Sequence, residues 1–295
     1  MTLQLDLPAA GARVPADVAR TWLLISAARL DAVAVTGSSA DAVVIDLEDA
    51  IDASRKAVER ERVARFLETG GEAWVRINDR TTPFWQDDID RLRGLLGLLG
   101  VVLAKTEEAA HAAETAERLG GRTPVVALIE SALGVENAAA IAQAPGVFRL
   151  AFGSGDYRRD TGVAGSELAL AYPRSRLVVA SRVGGLPGPI DGPSVVDGVP
   201  VVTEQSRSAA ALGLTGRLCL REAQVAIVNE VMAPSAEEVS WASGFLEEFD
   251  RAGRVVRDGS DLPRLGRAER IMHLDRTFSP SSHPTPHECR TKESR

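Results

Sequence analysis

The sequence predicts an α/β fold, a TIM (β/α)8 barrel with a C-terminal helical extension. Three observations carry that expectation. Eight short apolar or β-rich runs alternate with longer, Ala-rich stretches of helical period. The alternation implies parallel strands joined by right-handed crossovers, and eight such units in about 250 residues are the size of this barrel. No Gly-x-Gly-x-x-Gly follows the first run, which removes the commonest signature of the rival doubly wound sheet.

The runs are Trp22–Ile25, Ala42–Ile45, Ala73–Ile77, Val101–Ala104, Val125–Ile129, Phe148–Phe152, a weak Pro189–Asp191, and Leu218–Leu220. All are too short to be core helices. Between the second and third, Ser54 to Thr69 reads as a charged amphipathic helix stopped by Gly70-Gly71. Lys105 to Leu119 reads as a helix stopped by Gly120-Gly121. Residues 181–200, rich in Gly and Pro, read as a loop around the short seventh strand. Residues 235–253, with Trp241, Phe245 and Phe249, form a final amphipathic helix, and 262–275 a second helical segment. Residues 1–275 thus read as one domain including a helical segment at about 235–275. Residues 276–295 read as a polar, disordered tail.

The 295 residues carry 34 Lys and Arg against 41 Asp and Glu, a net charge of −7. The basic residues are scattered, which argues against a nucleic-acid partner. Only Cys219 and Cys289 occur, so neither a disulfide framework nor a thiolate metal site is readable, and a cytoplasmic setting is the default. No secretory leader and no stretch of membrane-spanning length is evident.

Acids at strand ends stand out. Asp46, Glu48 and Asp49 crowd the end of the second strand and need compensating cations or donors. They read as supports around a metal, or more plainly as a loop in which Asp49 caps a turn. Glu130 ends the fifth strand and Asp156 follows the sixth, both at the rim where such barrels display active groups. Gly153-Ser154-Gly155 permits a tight turn that brings Asp156 inward. Two carboxylates completed by waters and substrate oxygens suit Mg²⁺. The four histidines disfavour zinc: His283 and His287 lie in the tail, and neither His111 nor His273 has a partner at ligand spacing. Arg76, inside an apolar strand, either grips a substrate carboxylate with its planar fork or pairs internally with one of the Asp46–Asp49 acids. Asn78 and Lys105 sit at rim positions too. No nucleophile is convincing: Gly-x-Ser-x-Gly is absent, and Cys219 has no histidine partner.

Five segments in order carry a family resemblance: Asp41–Ala50, Val75–Asn78, Val101–Glu107, Leu128–Gly134 and Phe152–Tyr157. Together they resemble the citrate lyase β-subunit-like proteins of the HpcH/HpaI aldolase/citrate lyase group, over about residues 20–275. The resemblance implies a TIM barrel, a homotrimer, Mg²⁺ and reversible carbon–carbon cleavage of a 3-hydroxy acyl-CoA thioester such as citryl-CoA or malyl-CoA. It implies Glu130 and Asp156 as metal ligands and Arg76 as the group on the substrate carboxylate or keto-acid oxygens. Arg29, Glu48, Asp49 and Lys105 join Arg76 as substrate-binding residues. Asp261, in Asp-Leu-Pro-Arg-Leu-Gly-Arg-Ala-Glu-Arg-Ile, matches the family's acid–base aspartate, often placed at a neighbouring subunit's site; the plainer reading is a helix N-cap before Pro263.

Three departures qualify the carry-over. Ile25-Ser-Ala-Ala-Arg29-Leu-Asp31 keeps the family's arginine and loses its Pro-Gly turn. Ala104 replaces a proline before Lys105, and Arg221-Glu222 stands where the family has His-Pro. An acyl-CoA hydrolase, an aldolase-type lyase on a keto acid without CoA, and a barrel that binds ligand without turnover remain as alternatives.

Overall fold

The computed structural model describes residues 14–279, so residues 1–13 and, of the tail expected over 276–295, residues 280–295 lie outside the described residues. Eight parallel strands close into a barrel in chain order: β1 (Thr21–Ser26), β2 (Ala42–Asp46), β3 (Ala73–Ile77), β4 (Leu98–Leu103), β5 (Val125–Ile129), β6 (Val147–Phe152), β7 (Ile190–Asp191) and β8 (Gly216–Cys219). The seventh is as short as its sequence suggested and pairs with β6 only at Ala151–Ile190. β4 begins three residues before the expected Val101, at Leu98, and runs through Gly100. Gly100 is the reason it can: a Cβ there would stand 2.3 Å from the Trp74 ring of β3.

Helices follow the strands: α1 (Ala32–Thr36), α2 (Lys56–Glu68), α3 (Pro83–Leu92), α4 (Ala109–Arg118), α5 (Ala132–Ala142), α6 (Ser154–Thr161), α7 (Glu167–Val183), α8 (Val199–Leu212) and α9 (Glu222–Val231). The helix expected from Lys105 starts four residues later, because Lys105 itself adopts a left-handed backbone, φ 46°. Trp22, Val44, Trp74, Val102, Val126, Leu128, Ala151, Ile190 and Leu218 fill the barrel interior. The alternate strand residues, such as Ile45, Val75, Val101 and Ile129, pack outward against the helices.

The described chain divides into two compact units, the barrel to Met232 and a second unit from Ala233. In the second, α10 (Ala236–Arg251) and α11 (Asp261–Phe278) pair through Ala242, Phe245, Phe249, Ala268 and Ile271. A Ser235–Glu238 capping box starts α10, and α11 runs past the expected end at 275. No described helix is long and apolar enough to cross a membrane.

Candidate active site

Side chains two residues apart on a strand share a face. Val44, Trp74 and Leu128 point into the barrel. Asp46, Arg76 and Glu130, two residues further along, therefore continue the same inward columns to the carboxyl-terminal rim.

There the three acids at and after the end of β2 meet the cations they need. Arg76 Nε and Nη2 donate to Asp46 Oδ1 and Oδ2, both at 2.7 Å. Glu48 Oε2 lies 3.4 Å from Arg76 Nη1. Lys105 Nζ bonds Glu48 Oε1 and reaches Asp49 Oδ1 at 3.1 Å. The fork of Arg76 is thus engaged by Asp46, the internal-pair reading, and only its Nη1 edge is left toward Glu48. Burial opposes the Arg76 charge, yet Asp46 raises its pKa above the usual value. Burial likewise pushes the Glu48 carboxyl up. Asp49 is exposed and caps no turn; Asp52 does that, accepting from Ser54 N.

Glu130 is nearly fully buried. Among the described residues its one hydrogen bond comes from the backbone N–H of Lys105 at 2.8 Å, so the left-handed turn there aims an amide at the acid. Burial pushes its carboxyl up to about 8, against the pull of Arg76, and the nearby Asp156 and Glu48 charges push the same way. Asp156 therefore lies close enough for the two acids to sense each other. It sits in the first turn of α6, with Arg159 Nη2 3.2 Å from its Oδ1. The glycines of this turn act by space rather than by special dihedrals. Gly153 has φ −93°, but a Cβ on it would fall 2.2 Å from Glu130 Oε2. Gly155 has open space around it.

Sequence reasoning missed Lys56. Its ammonium is buried and donates to Leu47 O and Glu48 O at 2.9 Å and to Asn78 Oδ1 at 2.6 Å. Asn78 is held in turn by Asp88, whose other oxygen takes Arg60 Nε at 2.7 Å. A lysine opening a charged helix gave no signal distinguishing it from a solvated one. Asp191, at the end of β7, is also buried, bound by Arg174 and Arg217 between barrel and helices.

A cavity of about 660 Å³ opens beside this network. Leu23, Leu24, Ile25, Ala34, Ala50 and Leu220 give it mostly apolar walls, with Asp46, Arg29, Arg221 and Glu222 among them. Arg29 ends a short 3-10 turn, Ala27–Arg29, that stands in for the missing Pro-Gly, and it is exposed. Asp261 belongs to the second unit. Ser260 is the N-cap residue and Asp261 the first helical one. Its carboxylate is buried and accepts from Arg257 N at 2.8 Å, which with the Arg257 guanidinium holds it below the usual range.

The structure so brings Arg76, Glu48, Asp49, Lys105, Glu130 and Asp156 to one rim. Among the described residues no group of three or more His, Cys, Asp or Glu is gathered to hold a metal. Glu130 and Asp156 are hard oxygen donors, and Glu130 is a buried carboxylate without a cationic side chain bonded to it. That set fits a Mg²⁺ ion that keeps waters and accepts substrate oxygens.

The HpcH/HpaI aldolase/citrate lyase family matches residues 21–222, and the HpcH/HpaI aldolase C-terminal domain matches 237–279. A citrate lyase subunit beta-like protein of Deinococcus radiodurans is 32% identical over 88% of this chain and 98% of its own length. An L-malyl-CoA/beta-methylmalyl-CoA lyase of Cereibacter sphaeroides is 31% identical over 81% of this chain and 88% of its own. Among solved structures, the protein CitE from Mycobacterium tuberculosis, in complex with magnesium, acetoacetate and coenzyme A, superposes with a TM-score of 0.73 at 27% identity. That match covers 88% of this chain and 98% of the other.

Proposed function

The chain belongs to the HpcH/HpaI aldolase/citrate lyase family, an enzyme family of CoA-ester lyases, and on that premise we propose that it is a Mg²⁺-dependent carbon–carbon lyase, or the reverse condensing enzyme, acting on a 3-hydroxy acyl-CoA thioester. One observation carries the reading: Glu130 is buried, its carboxyl is raised to about 8, and it faces Asp156 and Arg76 at the barrel rim. Such a carboxylate is costly until a cation shares it.

Glu130 and Asp156 would hold Mg²⁺. When bound, the ion supplies a fixed positive charge that polarises a carbonyl and offsets negative charge developing on oxygen as the bond breaks. Lys105 keeps Glu130 aimed through its backbone amide. Arg76, fixed by Asp46, presents its Nη1 edge to the keto-acid part of the substrate. Lys105 Nζ, Glu48 and Asp49 line the approach, and Arg29 lies on the wall of the cavity that takes the thioester arm. Cleavage needs a proton to leave the 3-hydroxyl and one to reach the α-carbon of the departing acyl group. Asp261 is assigned to that exchange, and the chain to a homotrimer.

The test is turnover of malyl-CoA and citryl-CoA followed by keto-acid release. Mg²⁺-dependent keto acid, lost on chelation and in Glu130→Ala and Asp156→Ala, supports the reading. Release of free CoA alone replaces it with thioester hydrolysis, and metal-independent turnover removes it. Asp261→Asn with slowed cleavage but unaltered Mg²⁺ affinity supports the proton role, and light scattering in solution checks the trimer.

A further inference from the structure

We propose that Arg221 is a specificity residue, receiving an oxyanion carried on an apolar stem in the cavity between β1 and β8. The inference rests on the substrate reading above and extends it to a residue of the segment that follows β8.

The argument is one of an unmet donor beside an apolar cavity. Arg221 lies just past β8, on the cavity wall. The side chain is 40% exposed, but its Nε and Nη2 atoms are shut off from solvent, and among the described residues neither makes a hydrogen bond. A buried guanidinium nitrogen without an acceptor, as at Nη2, costs free energy until one reaches it. Asp197, 70% exposed, pairs with Nε at 2.5 Å from the outer side, which leaves Nη2 as the donor without an acceptor. The two acids on the cavity wall are occupied elsewhere. Glu222 takes Ser39 N and Oγ at 2.8 and 2.7 Å on one oxygen and Ser38 Oγ at 2.8 Å on the other. Asp46 is bound to Arg76. Arg29, on the same wall, adds a second positive charge. An apolar cavity with two guanidiniums and no free carboxylate selects a group with an apolar body and an anionic end.

That chemistry has two sources: a phosphate of a CoA-type carrier, or a second carboxylate on the substrate. Calorimetric titration of the whole protein, without turnover, separates them. CoA and pantetheine are titrated without Mg²⁺, oxaloacetate and pyruvate with it, into wild type, Arg221→Gln and Arg221→Lys. Loss of one charge-assisted contact should weaken the affected ligand about tenfold to a hundredfold in Arg221→Gln. Arg221→Lys, which keeps charge without the fork, should recover part of it. Weakening of CoA but not pantetheine assigns the phosphate. Weakening of oxaloacetate but not pyruvate assigns the carboxylate. Unchanged binding of all four by both variants, or no binding of CoA or oxaloacetate to wild type, overturns the proposal. The CoA arm needs no metal, so a protein that fails to bind Mg²⁺ loses the lyase reading while Arg221 is still judged on its own.

Discussion

Gly153 shows how much one missing side chain can decide. The carboxylate of Glu130 fills the space where a Cβ would lie, 2.2 Å from Oε2. Gly153→Ala should therefore push Glu130 off its aim and weaken Mg²⁺ about tenfold or more, a loss on the scale of a displaced ligand or its support. Gly155→Ala, with open space around it, should leave the affinity unchanged. Titration of both variants with Mg²⁺ checks the pair, and equal affinities would remove the spatial argument. Glu130 also sets a pH dependence. Its carboxyl is raised to about 8, above its value in the unfolded chain, so the ionised form is the costly one. In the metal-free protein the resulting loss of stability grows as pH rises from the unfolded value toward 8. An ion that needs the carboxylate competes with its proton, so Mg²⁺ affinity should fall about tenfold per pH unit below 8 and level off above it. Melting temperatures with and without Mg²⁺ at pH 6.5 and 8.5 should show the larger shift at the higher pH. An equal shift would mean that Glu130 is not the ligand.

The loop after β2 is an element positioned from outside itself. Lys56 reaches back from the start of α2 to bond Leu47 O and Glu48 O, and it joins Asn78 to the same loop. Lys56→Met keeps the apolar stem and leaves those acceptors without their donor. It should cost about 2 kcal/mol or more in chemical denaturation and raise KM by freeing Glu48. A variant with unaltered stability and KM would make this lysine dispensable. The element scale is also where sequence and structure part. Strand ends were legible because inward alternation and a closing acid or arginine coincide at Asp46, Arg76 and Glu130. Lys105 was misread as helical because Lys-Thr-Glu-Glu carries helix propensity that a single tertiary contact, its amide on Glu130, outweighs. Lys56 was unreadable because burial of a charged side chain depends on three acceptors from other segments, none of which leaves a periodic mark. The partner of Arg76 stayed open between substrate and Asp46, since both offer a carboxylate and only coordinates give the 2.7 Å fork.

At the scale of the barrel, chemistry and stability occupy opposite ends. The carboxyl-terminal rim carries the acids, while the amino-terminal end is closed by Arg149. This fully buried arginine donates to Gly188 O at 2.7 Å, to Ala19 O at 2.9 Å, to Ala16 O at 3.1 Å and to Thr215 Oγ1 at 2.9 Å. It thereby ties β6 to the segments entering β1, β7 and β8. Among the described residues no carboxylate bonds it, and burial lowers its pKa to about 9. Its charge is spent on carbonyl dipoles rather than on an ion pair, which is affordable only where every donor has an acceptor. Arg149→Met should therefore strand several buried acceptors and cost on the order of 3 kcal/mol or more. Any barrel that remains folded should keep the wild-type Mg²⁺ affinity, because Glu130 and Asp156 are set by β5 and α6 at the other end. Urea denaturation and metal titration of the same variant give both numbers. A fall in Mg²⁺ affinity without a fall in stability would show that the two ends are coupled, and the division between them would have to be abandoned.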